Sequence, residues 1–208
     1  MDRNKEGDIM YELYTIGHSQ HPIQKFIGLL KQHNINFVID VRSTPYSKYA
    51  SMYDRENISN ELKIANISYA FMGKYFGARQ DNKSLYTKEG YLDFQKVTKW
   101  DTFEKGMDNV IRGMQTNRIA LMCLEKKPID CHRAILVANA FYCKGYSVKH
   151  ILENGEIETH QELNEELLNL YYPDRNQISF FNNRTDEGYL EDAYKIRNKE
   201  IGYHLEER

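Results

Sequence analysis

The stretch Ile119-Ala-Leu-Met-Cys-Leu-Glu-Lys-Lys-Pro-Ile-Asp-Cys-His-Arg133 decides how this chain is read. Ile119 to Cys123 is an apolar run of strand length, suited to a strand covered on both faces. A short loop holding Glu125 and Pro128 follows, and then an apolar-patterned segment from Ala134 to Tyr142. The order predicts buried strand, loop and a helix over Cys131 to Cys143, with Cys131, His132 and Arg133 in its first turn. Backbone N–H groups are unpaired there and the helix dipole is positive, which favours anions and lowers thiol pKa values.

The flanking segments repeat this alternation. Tyr11 to Ile16 predicts a first strand, and Pro22 opens a helix whose Ile23, Phe26, Ile27 and Leu30 recur at helical spacing. Phe37 to Val41 predicts a second strand, Ile58 to Ala65 a short helix and Ile67 to Met72 a third strand. Tyr91 to Met114 carries apolar residues spaced for one or two helices, and Ser147 to Leu152 predicts a fifth strand after the one ending at Cys123. Strands alternating with helices imply an α/β fold: a mostly parallel sheet of about five strands, covered on both faces. This domain is expected over residues 9–155, with an acidic, mostly helical C-terminal extension over 156–208. There Thr159-His-Gln-Glu162 is a capping box opening a helix that runs to about Leu170. Pro173 stops it, Asn176 to Glu187 predicts a loop, and a last helix is expected over roughly Gly188 to Gly202.

Composition narrows the function classes. With 208 residues, 41% hydrophobic and 28% charged, the chain can bury one sizeable core, which argues against global disorder. No apolar run approaches the roughly 20 residues of a membrane span, and Met1 to Asp8 is too polar for a signal peptide. Cys123, Cys131 and Cys143 are odd in number and lack a disulfide-scaffold spacing, so a reducing, cytoplasmic setting is expected. Charge is uneven: Arg42 to Lys88 holds eight bases and four acids, whereas Glu153 to Arg208 holds fourteen acids and six bases. Six tyrosines interleave the basic stretch, a pattern that suits nucleic acid. The favoured reading is a solvated surface, because no nucleic-acid motif accompanies it.

Parallel α/β sheets place ligand sites at the carboxyl ends of their strands. The first strand delivers His18 and Ser19, the second Asp40, Arg42 and Ser47, and the third a loop ending at Arg79. The fourth delivers Cys123 and Glu125, followed by Cys131, His132 and Arg133. Arg42 either clamps a phosphate or carboxylate or pairs internally with Asp40 or Glu125. Asp40 is a general base or a loop cap, His18 a proton shuttle or a plain loop residue, and Ser19 and Ser47 are phosphate-binding hydroxyls or caps. Glu125 suits acid–base work if burial raises its pKa, or pairing with an arginine. Cys131 is a candidate nucleophile, although its spacing from Cys123 is not that of a Cys-x-x-Cys redox pair. A zinc site from Cys123, Cys131 and His132 has no standard spacing and no obvious fourth ligand, so no metal is assigned.

Tyr14-Thr-Ile-Gly-His-Ser19, Asp40-Val-Arg42 with Pro45 and Ser47, Cys123-Leu-Glu125 with Cys131-His-Arg133, and Gly145 to Ile151 together resemble domain-of-unknown-function family 488. The resemblance covers roughly Tyr11 to Leu152. It implies a Rossmann-like three-layer domain and no particular activity. Many members carry paired glycines where this chain has Gly77-Ala78, which puts a tight turn at Ala78 in question.

Three functions follow as expectations. The first is a small enzyme acting on an anionic, phosphate-bearing or nucleotide-like ligand. Arg42, Ser47, Arg79, His132 and Arg133 would bind it, with Ser19, while His18, Asp40 or Glu125 moves protons. The second is sulfur transfer or redox chemistry at Cys131. The third is a non-catalytic binding module, with nucleic acid as its candidate partner. The sequence leaves the cofactor unassigned.

Overall fold

The computed structural model describes residues 11–175 and 184–205. The chain runs β1 (Glu12–Gly17), α1 (Ile23–Gln32), β2 (Phe37–Asp40), α2 (Arg55–Ile64), β3 (Ser68–Phe71), α3 (Gly73–Phe76), α4 (Phe94–Thr98) and α5 (Asp101–Met114). It continues through β4 (Ile119–Cys123), a π-helical segment (Arg133–Ala138), α6 (Asn139–Cys143), β5 (Ser147–Ile151), β6 (Ile157–Thr159), α7 (His160–Tyr171) and α8 (Asp186–Ile201). The sheet order is β3-β2-β4-β1-β5-β6; the first five strands run parallel and β6 is antiparallel to β5.

Strand alternation builds two cores. Leu13, Ile119, Leu121 and Cys123 face one, with Phe103 and Met107 of α5, Val137, Leu163 and Leu167 of α7, and Ala193 of α8. Tyr14, Ile16, Ala120 and Met122 face the other, covered by Phe26 and Leu30 of α1 and Ile58 and Leu62 of α2. Helices on both faces of a mostly parallel sheet make a Rossmann-like three-layer α/β fold. β4 sits between β1 and β2 with all five residues buried, which is why its sequence is an unbroken apolar run.

Three local expectations change, and one open alternative closes. The sheet has a sixth strand, β6, whose Ile-Glu-Thr is too short to show a period; its pairing with β5 puts the boundary expected between 155 and 156 inside a β-hairpin. Tyr91 to Met114 forms two helices, with Asp93 capping α4 through the N–H groups of Gln95 and Lys96. Pro22 stands at the N-cap of α1, one position before its first helical residue. Arg55 to Asn57 extend α2 toward its N-terminus. The Thr159–Glu162 capping box is present, and α8 begins at Asp186, so Asp186 and Glu187 are helical. The rest of the loop expected from Asn176 falls mainly on 176–183, outside the described residues, as do Met1 to Asp8.

Candidate functional site

The helix expected to start at Cys131 starts later. Cys131 is extended (φ −132°, ψ 135°), and its carbonyl accepts the N–H groups of Ala134 and Ile135 at 3.0 Å each. Its Sγ accepts the Arg133 N–H at 3.4 Å, so the residue caps the helix from outside rather than riding in its first turn. Arg133–Ala138 then wind as a π-helix, a geometry that recurs at functional sites.

Around this cap the fold assembles a compact cluster. β4 ends at Cys123, the loop returns Glu125, and Cys131 and His132 come in at the helix start. Cys131 Sγ shares a 2.7 Å hydrogen bond with Glu125 Oε2. His132 Nδ1 lies 3.8 Å from Cys123 Sγ and 3.9 Å from Cys131 Sγ, while its Nε2–H donates to the Val41 carbonyl at 3.1 Å. One ligand atom from each of Cys123, Glu125, Cys131 and His132 lies within 4.8 Å of the other three. Glu125 thus brings a fourth potential donor atom to the cluster, one that residue spacing did not reveal.

The protons in this cluster are unevenly held. Burial pushes the Cys131 thiol up, but the hydrogen bond with Cys123, the Arg133 charge and His132 outweigh it and hold the thiol well below its ordinary value. Cys123 is pushed well above its ordinary value, by burial first and then by Cys131. Burial and the neighbouring Cys131 raise Glu125. For His132 burial works downward, and the contact with Cys131 overcomes it to raise the imidazole. These directions favour the thiolate at Cys131 over one at Cys123, and work against the charge on Glu125.

Two neighbours complete the wall. Arg133 is fully buried; Nη1 donates to the Glu125 carbonyl at 2.7 Å and Nη2 to that of Lys126 at 3.2 Å, pinning the loop, while Nε has no partner. A Cβ on Gly17 would lie 1.9 Å from the Glu125 carbonyl oxygen, so the end of β1 approaches the loop as only glycine allows. His18 then follows, buried and stacked on Tyr53 with ring centroids 4.0 Å apart. Its Nδ1 accepts the Gln20 N–H at 3.3 Å, which leaves the proton of the neutral ring on Nε2, a buried donor without a partner. Burial, then Arg42 and Arg133, push His18 down to about 3. Ser19 and Gln20 both take left-handed backbone (φ 45° and 57°), holding this turn in a conformation rare outside glycine.

The remaining predicted residues go elsewhere. Asp40 is fully buried and accepts from the Arg42 backbone N–H (3.0 Å), Arg42 Nε (2.9 Å) and Nη2 (2.6 Å), and Tyr69 Oη (2.8 Å). Arg42 Nη2 also donates to the Tyr53 carbonyl at 2.8 Å. Of the alternatives open for these two residues, the fold uses internal pairing. Ser47 caps its own loop, its Oγ accepting from Tyr49 N–H and its N–H donating to Asp54. Arg79 is exposed over the Tyr203 ring, in a groove of about 1240 Å³ that it lines with Ser43, Lys74 and Lys83. Ala78 has no left-handed backbone; the close approach is at Gly77, where a Cβ would meet the Gly73 carbonyl at 2.6 Å. Tyr53, which stacks on His18, is one of the six tyrosines of the basic stretch, and no periodicity in the sequence marks it.

Fold and site together define a Rossmann-like α/β domain with a buried cysteine–histidine–carboxylate cluster where β4 meets the following helix. The chain belongs to the family described as Domain of unknown function DUF488, which matches residues 22–140. That span includes the cluster and stops short of the Tyr14–Ser19 and Gly145–Ile151 motifs. No curated protein and no solved structure matches the chain. Among the described residues no helix is long and apolar enough to cross a membrane.

Proposed function

We propose that this chain is a thiol enzyme in which Cys131 is the nucleophile and Cys123 the resolving thiol, acting on small disulfides in a reducing, cytoplasmic setting. The observation that carries the reading is Cys131 Sγ held against Glu125 Oε2 at 2.7 Å, with the Cys123 thiol beside it. A low-pKa thiolate flanked by a proton-bearing group and a second thiol is the arrangement that disulfide exchange needs. The Cys131 thiolate attacks one sulfur of R–S–S–R′, forming Cys131–S–S–R and releasing R′–S⁻, which takes the proton from Glu125. Cys123 then passes its proton to the Glu125 carboxylate and attacks Cys131 Sγ, and the departing R–S⁻ takes that proton in turn. The product is a Cys123–Cys131 disulfide and R–SH, with two electrons passed from the protein to the substrate. Two equivalents of a low-molecular-weight thiol return the protein to the dithiol by the reverse exchange and leave as their disulfide.

The test is alkylation at neutral pH followed by mass mapping, then reduction of a small aromatic disulfide. Cys131 should react faster than exposed Cys143, and Cys131→Ser should abolish disulfide reduction. Equal or slower alkylation at Cys131, with no turnover, overturns the reading.

The groove holding Lys74, Arg79 and Lys83 supports the second reading, an anionic or nucleotide-like ligand, whose binding groups would then be these cations rather than Arg42 and Arg133. Salt-sensitive binding of a nucleotide or an oligonucleotide, lost in Arg79→Ala, would support it. Binding that ignores salt and this substitution would remove it.

A further inference from the structure

We infer that Cys123, Glu125, Cys131 and His132 form a site for a soft divalent cation of the zinc class, which the metal-free thiol reaction neither requires nor explains. The ligand set is sulfur, oxygen, sulfur and nitrogen, the mixture that Zn²⁺ takes in tetrahedral sites. With Zn–S near 2.3 Å and Zn–N near 2.0–2.1 Å, a tetrahedron needs a sulfur-to-nitrogen edge of about 3.6 Å. The two edges from His132 Nδ1 are 3.8 and 3.9 Å. Both nitrogen-to-sulfur edges therefore stand close to coordination geometry, on a strand end and a helix start.

The imidazole is oriented for the task. Its Nε2–H is spent on the Val41 carbonyl, which only accepts, so the Nδ1 lone pair of the neutral tautomer faces the two sulfurs. Metal-binding histidines are held in this way, with the far ring nitrogen donating to a backbone carbonyl or carboxylate. The fourth ligand must adjust: Cys131 Sγ and Glu125 Oε2 stand 2.7 Å apart, against roughly 3.5 Å for a tetrahedral edge. Glu125 is the one member of the four that is only half-buried, which leaves its side chain room to swing outward and open that edge.

Charge favours the same reading. Two thiolates, one carboxylate and a neutral imidazole around a divalent ion leave one net negative charge. Buried Arg133, whose hydrogen bonds hold the Glu125–Lys126 carbonyls, stands beside the cluster to offset it. Binding requires Cys123 to lose its proton, and that release gives the site a measurable signature.

The experiment uses the reduced full chain, stripped with chelator, and Co²⁺ or Zn²⁺ alone as probe. One equivalent of Co²⁺ should give the intense visible bands of a tetrahedral ion and a near-ultraviolet sulfur-to-metal band, both erased by Zn²⁺. Saturating Zn²⁺ should slow alkylation of Cys123 and Cys131 at least tenfold and leave Cys143 unchanged. His132→Ala and Cys131→Ser should weaken binding by more than the roughly 10–100-fold typical of groups that merely support a ligand, and Cys143→Ser should leave it intact. A pale octahedral spectrum, unprotected Cys131, or affinity that survives Cys131→Ser overturns the site. Should a variant fail to fold, the protection pattern in the unmodified chain decides. Fast alkylation of metal-free Cys131 is read separately, so loss of the metal site and loss of the thiol reaction are distinguishable.

Discussion

Cys131 Sγ and Glu125 Oε2 lie 2.7 Å apart, one on the residue that caps a helix and the other on the loop leaving β4. The loop holds that position because Arg133 grips its carbonyls and Gly17 leaves room for it. The contact makes the two titrations interdependent: the charge on one opposes the charge on the other.

Glu125→Gln should therefore keep a neutral hydrogen-bond donor beside the sulfur at every pH. The midpoint of Cys131 alkylation against pH is expected to fall by about one unit, equivalent to ~1.4 kcal/mol in favour of the thiolate. A rise in the midpoint would show that the carboxyl group does not supply the proton.

Gly17→Ala should be poorly tolerated, because the new methyl meets the Glu125 carbonyl oxygen at 1.9 Å and Arg133 Nη2 at 3.2 Å. Moving the loop is expected to cost about 1–3 kcal/mol in urea unfolding and to lower Cys131 reactivity with it. Unchanged stability and reactivity together would mean that the loop is free to shift.

Asp40→Asn tests the reassignment of the strand-two pair. Leaving Arg42 buried against a neutral amide should destabilise the fold by about 3–5 kcal/mol. At a temperature where the variant is still folded, the alkylation midpoint of Cys131 should stay where it was. A shifted midpoint at full stability would return Asp40 to the reacting group.

Acid should weaken the fold through its buried imidazoles. His18 and His160 are pushed down to about 3, by burial foremost, and burial and His160 hold His150 well below its ordinary value. Each is neutral when folded and gains a proton more easily when unfolded. Its contribution is fully present above the unfolded pKa near 6.5 and is lost as pH falls toward 3, by up to ~1.4 kcal/mol per pH unit for each group. His132, whose pKa is raised, runs the other way, its contribution fading as pH rises. His150 and His160 belong to one chain of hydrogen bonds, from Thr15 Oγ1 at 2.8 Å through the 3.1 Å His150–His160 link to Tyr194 at 3.0 Å. In His160→Gln the slope of unfolding free energy between pH 6.5 and 4 should be shallower than in the parent; an equal slope would place the acid sensitivity elsewhere.

Much of the architecture was legible beforehand. The apolar run at Ile119 to Cys123, the helical spacing after Pro22 and the Thr159–Glu162 capping pattern each report a local requirement, and each is met. β6 was not legible, because three residues pairing with β5 leave no period to read. Neither was the fate of Asp40 and Arg42: two residues apart on a strand end, they suited a ligand as well as each other.

By itself the sequence determined the alternation of the five parallel strands with their main helices and the apolar cores, since periodicity and burial are properties of neighbouring residues. Only the tertiary structure decided how the polar residues are shared out. It set Arg42 on Asp40, Ser47 on its own loop and Arg79 in a separate groove, and it drew Glu125 and His132 around two cysteines eight positions apart. The reason is distance: hydrogen bonds and metal coordination act over about 2–4 Å, and no spacing along a chain fixes that separation until strand, loop and helix have packed.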